Sequence, residues 1–309
     1  MGSISIVVND LASYLKQFSI HMPPSSNFLD FQQDITSKMR EILIDWLFEV
    51  HCRYRLQSET LYLAIQILDC FLAKVQISRR RLQLVGCTAL FIANKYEEIY
   101  CCDAMDFIYI SDRCFVLDEL LAMERLILNT LDFDITKESS WCFAQQHVLR
   151  YFQAWPNERF QHSCDYFLQS TLQHVQFLDF PNQLLAFAAL CWASFVTQTT
   201  FSTHAAQAAT LGYSWKEIEH VIQLHHDLTT NENSKYRAVH RKFAAAKYLQ
   251  VAQLTTTVTV VVESSGCSKR NFATWWMDQS GGATPPASNT IFSSIAKCHD
   301  VCLPSTAQA

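Results

Sequence analysis

Apolar residues recur at helical spacing through most of the chain, and one stretch differs from the rest. Leu82 to Tyr100 reads LQLVGCTALFIANKYEEIY. Its first half is almost continuously apolar, interrupted only by Gln83 and Thr88, with Gly86, Ala89 and Ala93 at helical spacing where neighbouring helices can approach closely. Such a helix belongs at the centre of a core. It then turns abruptly polar, as Asn94-Lys95-Tyr96-Glu97-Glu98. A buried helix ending in a dense charged cluster either solvates its end there or presents a site.

The surrounding pattern predicts more helices and no strands, because no period-two alternation is sustained. Asp10 to Phe18 reads as a short amphipathic helix, ended by Met22-Pro23-Pro24. Lys38 to Tyr54 carries Met39, Ile42, Leu43, Trp46, Leu47 and Val50 on one stripe, with capping side chains offered from Asp34 to Thr36. Ser58 predicts an N-cap, with Glu59 in the dipole-favoured first turn and Leu61, Ala64, Ile65, Leu68, Phe71 and Leu72 inward. A short helix near Ala104 to Tyr109 and another over Leu117 to Asn129 complete a five-helix group.

The second half repeats this plan. A shift of 100 positions places Val85, Gly86, Ala89, Leu90 and Ala93 over Leu185, Ala186, Ala189, Leu190 and Ala193. Around this second apolar helix, with Pro181 near its start, helices are expected near Ser140 to Ala154, Glu158 to His174, His204 to Thr210, Ser214 to Leu228 and Lys235 to Val251. The fold class is all-α: two tandem five-helix units with an N-terminal helix and a disordered tail. The boundaries read as an N-terminal segment 1–37, a first unit 38–134, a second unit 135–254 and a low-complexity tail 255–309. The repeat also supplies an internal control. Where the first copy continues with Lys95, Tyr96, Glu97 and Glu98, the second has Phe195, Val196, Thr197 and Gln198, so the fold itself does not require the charged cluster.

Composition narrows the function. With 17% charged residues and a net charge of −5, the chain lacks the basic excess of a nucleic-acid binder, and Arg79-Arg80-Arg81 reads as a solvated interhelical loop. Twelve cysteines without a disulfide framework or CxxC pairs favour a reducing intracellular compartment. No secretory signal opens the sequence, and the longest apolar run, Leu184 to Val196, is shorter than the roughly 20 residues a bilayer span needs. No phosphate loop, zinc spacing or nucleophile motif appears, so neither an enzyme nor a cofactor or metal is expected. Adjacent Cys101-Cys102 are poorly placed to chelate, and no His stands beside them.

Several separated motifs, in order and spacing, resemble the cyclin box of a B-type (mitotic, A/B-like) cyclin. They are Met39-Arg40-Glu41-Ile42-Leu43, Asp45-Trp46-Leu47-Phe48-Glu49-Val50, Glu59-Thr60-Leu61-Tyr62-Leu63-Ala64, Leu82-Gln83-Leu84-Val85-Gly86, Lys95-Tyr96-Glu97-Glu98-Ile99-Tyr100, Asp106-Phe107-Ile108-Tyr109-Ile110 and Met123-Glu124. The resemblance continues through Leu211-Gly212-Tyr213-Ser214 and Lys235-Tyr236-Arg237-Ala238-Val239, and covers about Asn9 to Leu254.

It implies two cyclin folds and a regulatory subunit that binds and activates a cyclin-dependent serine/threonine kinase as a heterodimer, controlling cell-cycle progression at G2/M, in nucleus and cytoplasm. By the same resemblance, Lys95, Tyr96, Glu97, Glu98 and Glu124 would contact the kinase, with Phe107 and Ile108 on the apolar surface nearby. Glu124 has Ile222 near its place in the second repeat. Met39, Ile42, Leu43, Asp45, Trp46, Glu49, Leu82 and Gln83 would form a docking patch for RxL-type substrates or inhibitors. Leu43 and Leu47 read rather as core, whereas Trp46 and Met39 suit core and docking surface alike. Arg40 and Asp69 would form a buried structural ion pair.

The sequence departs from the family at Glu41, usually alanine; at Cys70, usually arginine; at Cys101-Cys102, usually two prolines; and at Glu138-Ser139-Ser140, near a usual proline-threonine. No arginine precedes Arg40, so an RxxL destruction signal is not expected there. A scaffold or transcription-factor-IIB-like protein without kinase activation remains the alternative, since the same doubled fold serves both.

Overall fold

The computed structural model describes residues 24–152, 154–199, 213–230 and 238–254. The helices expected at Asp10 to Phe18 and His204 to Thr210, and the tail from Thr255, lie outside these residues. Ten helices are described: α1 (Ser37–Tyr54), α2 (Ser58–Leu72), α3 (Leu82–Glu97), α4 (Ala104–Ile110), α5 (Leu117–Thr130), α6 (Ser140–Phe152), α7 (Glu158–Gln173), α8 (Asn182–Thr197), α9 (Trp215–Thr230) and α10 (Ala238–Ala244). The described residues contain no strand, and no helix is long and apolar enough to cross a membrane. They divide into two compact units, one running to Phe143 and including Leu172–Gln183, the other comprising Ala144–Thr171 and the chain from Leu184.

In the first unit α3 is the hub, packed by α1, α2, α4 and α5. From Leu82 to Asn94 every side chain except Gln83 is buried. Gly86 has a steric reason: a Cβ there would fall 2.8 Å from both δ carbons of Leu43. Thr36 caps α1, its hydroxyl accepting from the Met39 amide. The cap of α2 differs from expectation. Gln57, not Ser58, precedes the helix, and Glu98 from beyond α3 accepts from the Gln57 amide and the Thr60 hydroxyl, each at 2.6 Å. A carboxylate at a helix N-terminus satisfies donors the helix leaves open and opposes its dipole. The Arg79–Arg81 stretch is a single 3₁₀ turn, anchored by Arg79 to Asp34 at 2.6 Å.

In the second unit α8 is buried from Leu184 to Val196. Phe167 stacks on His225 at 4.0 Å, and Ile218, Val221 and Ile222 of α9 are buried. Ser214 and Glu217 close a reciprocal capping box before α9. The helix expected to run to Val251 stops at Ala244. Ala245 is extended, and a 3₁₀ turn, Ala246–Tyr248, brings Tyr248 to 5.0 Å from Phe243 and 5.2 Å from His162. Aromatic packing outweighs helix propensity at that point.

Candidate partner-binding surface

The polar end of α3 is held in a defined shape. Lys95 Nζ pairs with Glu124 of α5 and lies 4.3 Å from the centre of the Phe91 ring. Glu124 is largely covered while Lys95 stays open to solvent. Tyr96 shares a 2.8 Å hydrogen bond with Thr136 and leaves its ring half exposed. Burial first, then repulsion from Glu59 and Glu98, holds the Glu97 carboxyl above its ordinary pKa. Three carboxylates thus share a small volume, which a cation on a partner would relieve.

Beyond α3 the chain is pinned at two points. Glu98 is tied to α2 as above; Cys102 donates its amide to Asn94 Oδ1 and accepts from Asn94 Nδ2, both at 3.3 Å. Between the pins Ile99 and Tyr100 project outward, 91% and 92% exposed. The next helix adds Met105 and Tyr109, 60% and 64% exposed. Large apolar side chains held this openly beside a charged pair form an unusual surface for a folded chain.

One sequence expectation is corrected at this surface. Phe107 and Ile108 do not face solvent. Phe107 is fully buried, 5.3 Å from the Phe91 ring and 6.3 Å from Tyr54, and Ile108 is nearly so. The exposed row of α4 is Met105 and Tyr109. Glu98, expected at the partner surface, is partly exposed and also caps α2 through Oε1. The four residues the sequence reading missed, Ile99, Tyr100, Met105 and Tyr109, carried one signal: apolar residues following directly on a polar helix end, off any buried stripe.

The docking patch is only partly assembled. On α1, Ile42 and Glu49 are exposed, and Met39, Asp45 and Trp46 are half-buried, as is Gln83 on α3. Leu43 and Leu82 are buried and belong to the core, Leu43 against Gly86. Leu47, which read rather as core, is buried as well. Glu41, where the family usually has alanine, accepts from His174 Nδ1 at 3.2 Å, and Gln173 donates to Asp45 at 3.4 Å.

Arg40 and Asp69 meet in a bidentate pair, Nε to Oδ1 at 2.7 Å and Nη2 to Oδ2 at 2.6 Å, with both side chains essentially inaccessible. Nη1 and Nη2 also donate to the carbonyls of Gln173 and Leu172. A guanidinium saturated this way is structural. No group of His, Cys, Asp and Glu among the described residues has the arrangement of a metal site.

Comparison with known proteins agrees with this geometry. Residues 10–136 match the model of the cyclin N-terminal domain, and residues 140–257 that of the cyclin C-terminal domain. The chain is 35% identical over 255 residues to Cyclin-A1 of Xenopus laevis, covering 82% of this chain and 60% of that protein. It is 34% identical over 264 residues to the G2/mitotic-specific cyclin-B of Spisula solidissima, covering 84% and 60%. The chain therefore spans about three fifths of the length of these relatives. Its fold is similar to the X-ray structure of a viral cyclin from herpesvirus saimiri, with a TM-score of 0.64 at 18% identity, over 71% of this chain and 96% of that one.

Proposed function

The chain belongs to the cyclin family, and on that premise we propose that it is the regulatory subunit of a cyclin-dependent serine/threonine kinase. It supplies no catalytic group. It acts by packing the polar end of α3 and the exposed row of α4 against the kinase's αC helix and activation segment. That contact favours the arrangement in which the αC glutamate meets the nucleotide-binding lysine, an ion pair phosphoryl transfer requires.

The observation that carries this reading is the end of α3: a Lys95–Glu124 pair flanked by Ile99, Tyr100, Met105 and Tyr109 in the open. In this complex Lys95 and Glu124 exchange their mutual contact for hydrogen bonds to kinase backbone, and the flanking apolar residues lose their exposure. Exposed ion pairs contribute no more than about 1 kcal/mol to stability, so the exchange costs the free chain little.

Met39, Ile42, Trp46 and Gln83, with Asp45 and Glu49 to attract a basic residue, provide a second contact for RxL-type substrates or inhibitors. The names of the mitotic relatives support a role at G2/M, and the reading puts the complex in nucleus and cytoplasm, where cysteines stay reduced. The acidic net charge makes nucleic acid an unsuitable partner.

Pull-down of a cyclin-dependent kinase by wild type and by the Lys95→Ala/Glu124→Ala double variant, followed by a histone phosphorylation assay, tests the assignment. Loss of bound kinase and of phosphorylation, with the melting temperature kept, is the expected result. Undiminished binding by the double variant sinks it.

A further inference from the structure

The last turn of α1 and the exit of α4 share an open cavity of about 370 Å3, lined by Arg53, Tyr109, Ile110, Asp112 and Arg113. Arg53 lies in the final turn of α1. Arg113 reaches the cavity through a tight exit from α4, with Asp112 and Arg113 both left-handed (φ 56° and 57°) and the Arg113 amide donating back to the Ile108 carbonyl at 3.0 Å.

Two arginines of this unit are matched, Arg40 by Asp69 and Arg79 by Asp34. Arg53 and Arg113 are exposed and take part in no ion pair among the described residues, although Asp112 lines the same cavity. Two cations that share a cavity and leave an available carboxylate unpaired call for an anion with more charge and more oxygens than a carboxylate offers. A phosphoryl group has both, since two planar guanidinium forks can each engage two of its oxygens. The apolar faces of Tyr109 and Ile110 suit the carbon stem that carries it.

We propose that this cavity binds the phosphoryl group of a phosphorylated serine or threonine on a partner protein, with Arg53 and Arg113 as its two forks. Asp112 then faces a basic residue beside the phosphorylated one. The competing account is that both cations serve the fold, by offsetting carbonyls at two helix C-termini. Because Tyr109 also belongs to the surface assigned to the kinase, the proposal concerns the chain free of kinase and is tested on the full chain alone.

The probe is a labelled short Ala/Gly peptide carrying one phosphoserine beside one lysine, titrated by fluorescence anisotropy, with its serine and glutamate counterparts as controls. Saturable binding of the phosphoserine peptide alone, competed by inorganic phosphate, is expected. Arg53→Ala and Arg113→Ala should each weaken it about tenfold or more. Arg113→Lys, which keeps charge without the fork, should fall in between, and Asp112→Asn should lose a preference of about threefold for this peptide over its lysine-free counterpart, by removing the carboxylate that faces the lysine. The Asp112→Asn result keeps the proposal testable if the alanine variants fail to fold. Equal binding of the glutamate peptide, no saturable binding, or variants that lower the melting temperature while leaving binding unchanged would overturn it.

Discussion

At the end of α8 the chain closes on itself. Phe195 and Val196 are buried, Thr197 Oγ1 donates to the Ala193 carbonyl at 2.7 Å, and Ser194 Oγ donates to the Thr199 carbonyl at 2.5 Å. At the matching end of α3, Lys95 and Tyr96 are open to solvent, and the following loop holds Ile99 and Tyr100 outward. The residue at the position of Glu124 in the second repeat differs in the same sense, being the fully buried Ile222. One fold, built twice, thus finishes its hub in two ways. The second copy shows that apolar side chains complete this corner, so the fold itself does not require the first copy's polar pair and open apolar loop.

Four perturbations break or sharpen this contrast, the largest first. Arg40→Ala leaves Asp69 charged and buried and removes two carbonyl contacts, which should cost about 3 to 5 kcal/mol. The first unit should then unfold well before the second in a thermal melt followed by hydrogen exchange. A normal melting temperature would contradict the structural role.

Gly86→Ala makes the first hub like the second, where Ala186 stands. The new methyl meets Leu43 at 2.8 Å, and overpacking of about 1 to 3 kcal/mol outweighs the helix gain of about 1 kcal/mol. The variant should melt lower, and because Leu43 lies on α1 among the docking residues, it should also weaken binding of an RxL-type peptide.

Acidification should act on the second unit. Burial holds His162 and His226 below their ordinary pKa. Below about pH 6.5 the unfolded chain takes up protons that the folded unit refuses, so stability falls as pH falls through that range toward the lower folded values. Hydrogen exchange at pH 7.5 and 5.5 should show protection lost in α7 and α9 before α2 and α3. Equal protection at both pH values would count against it.

The smallest effect belongs to Glu97→Gln. A raised folded pKa means that ionisation opposes folding, so the variant should gain a few tenths of a kcal/mol at neutral pH and nothing at pH 4. It should nevertheless bind the kinase less well. A gain in both stability and binding would separate Glu97 from the partner surface.

The sequence made the hubs legible because an all-apolar helix has no other place than a core, and the repeat made Lys95 legible by showing Phe195 in its stead. Arg40 and Asp69 stand 29 positions apart, and only the family resemblance joined them. The faces of α4 were not legible: apolar residues at 105, 107, 108, 109 and 110 surround a helix that makes barely two turns, and only packing against Phe91 decides that Phe107 goes inward. The capping role of Glu98 escaped for a related reason, since its partner is the start of a helix about forty residues earlier in the chain. The end of α10 depended on Tyr248 finding Phe243 and His162, contacts that no periodicity encodes.

The most direct measurement gives the first unit the residues of the second. The Lys95→Phe/Tyr96→Val/Glu124→Ile variant should keep its helical content and a melting temperature near that of wild type, while kinase co-purification and histone phosphorylation are lost. Retention of both kinase activities by a folded triple variant would show that the polar end of α3 is not the partner surface.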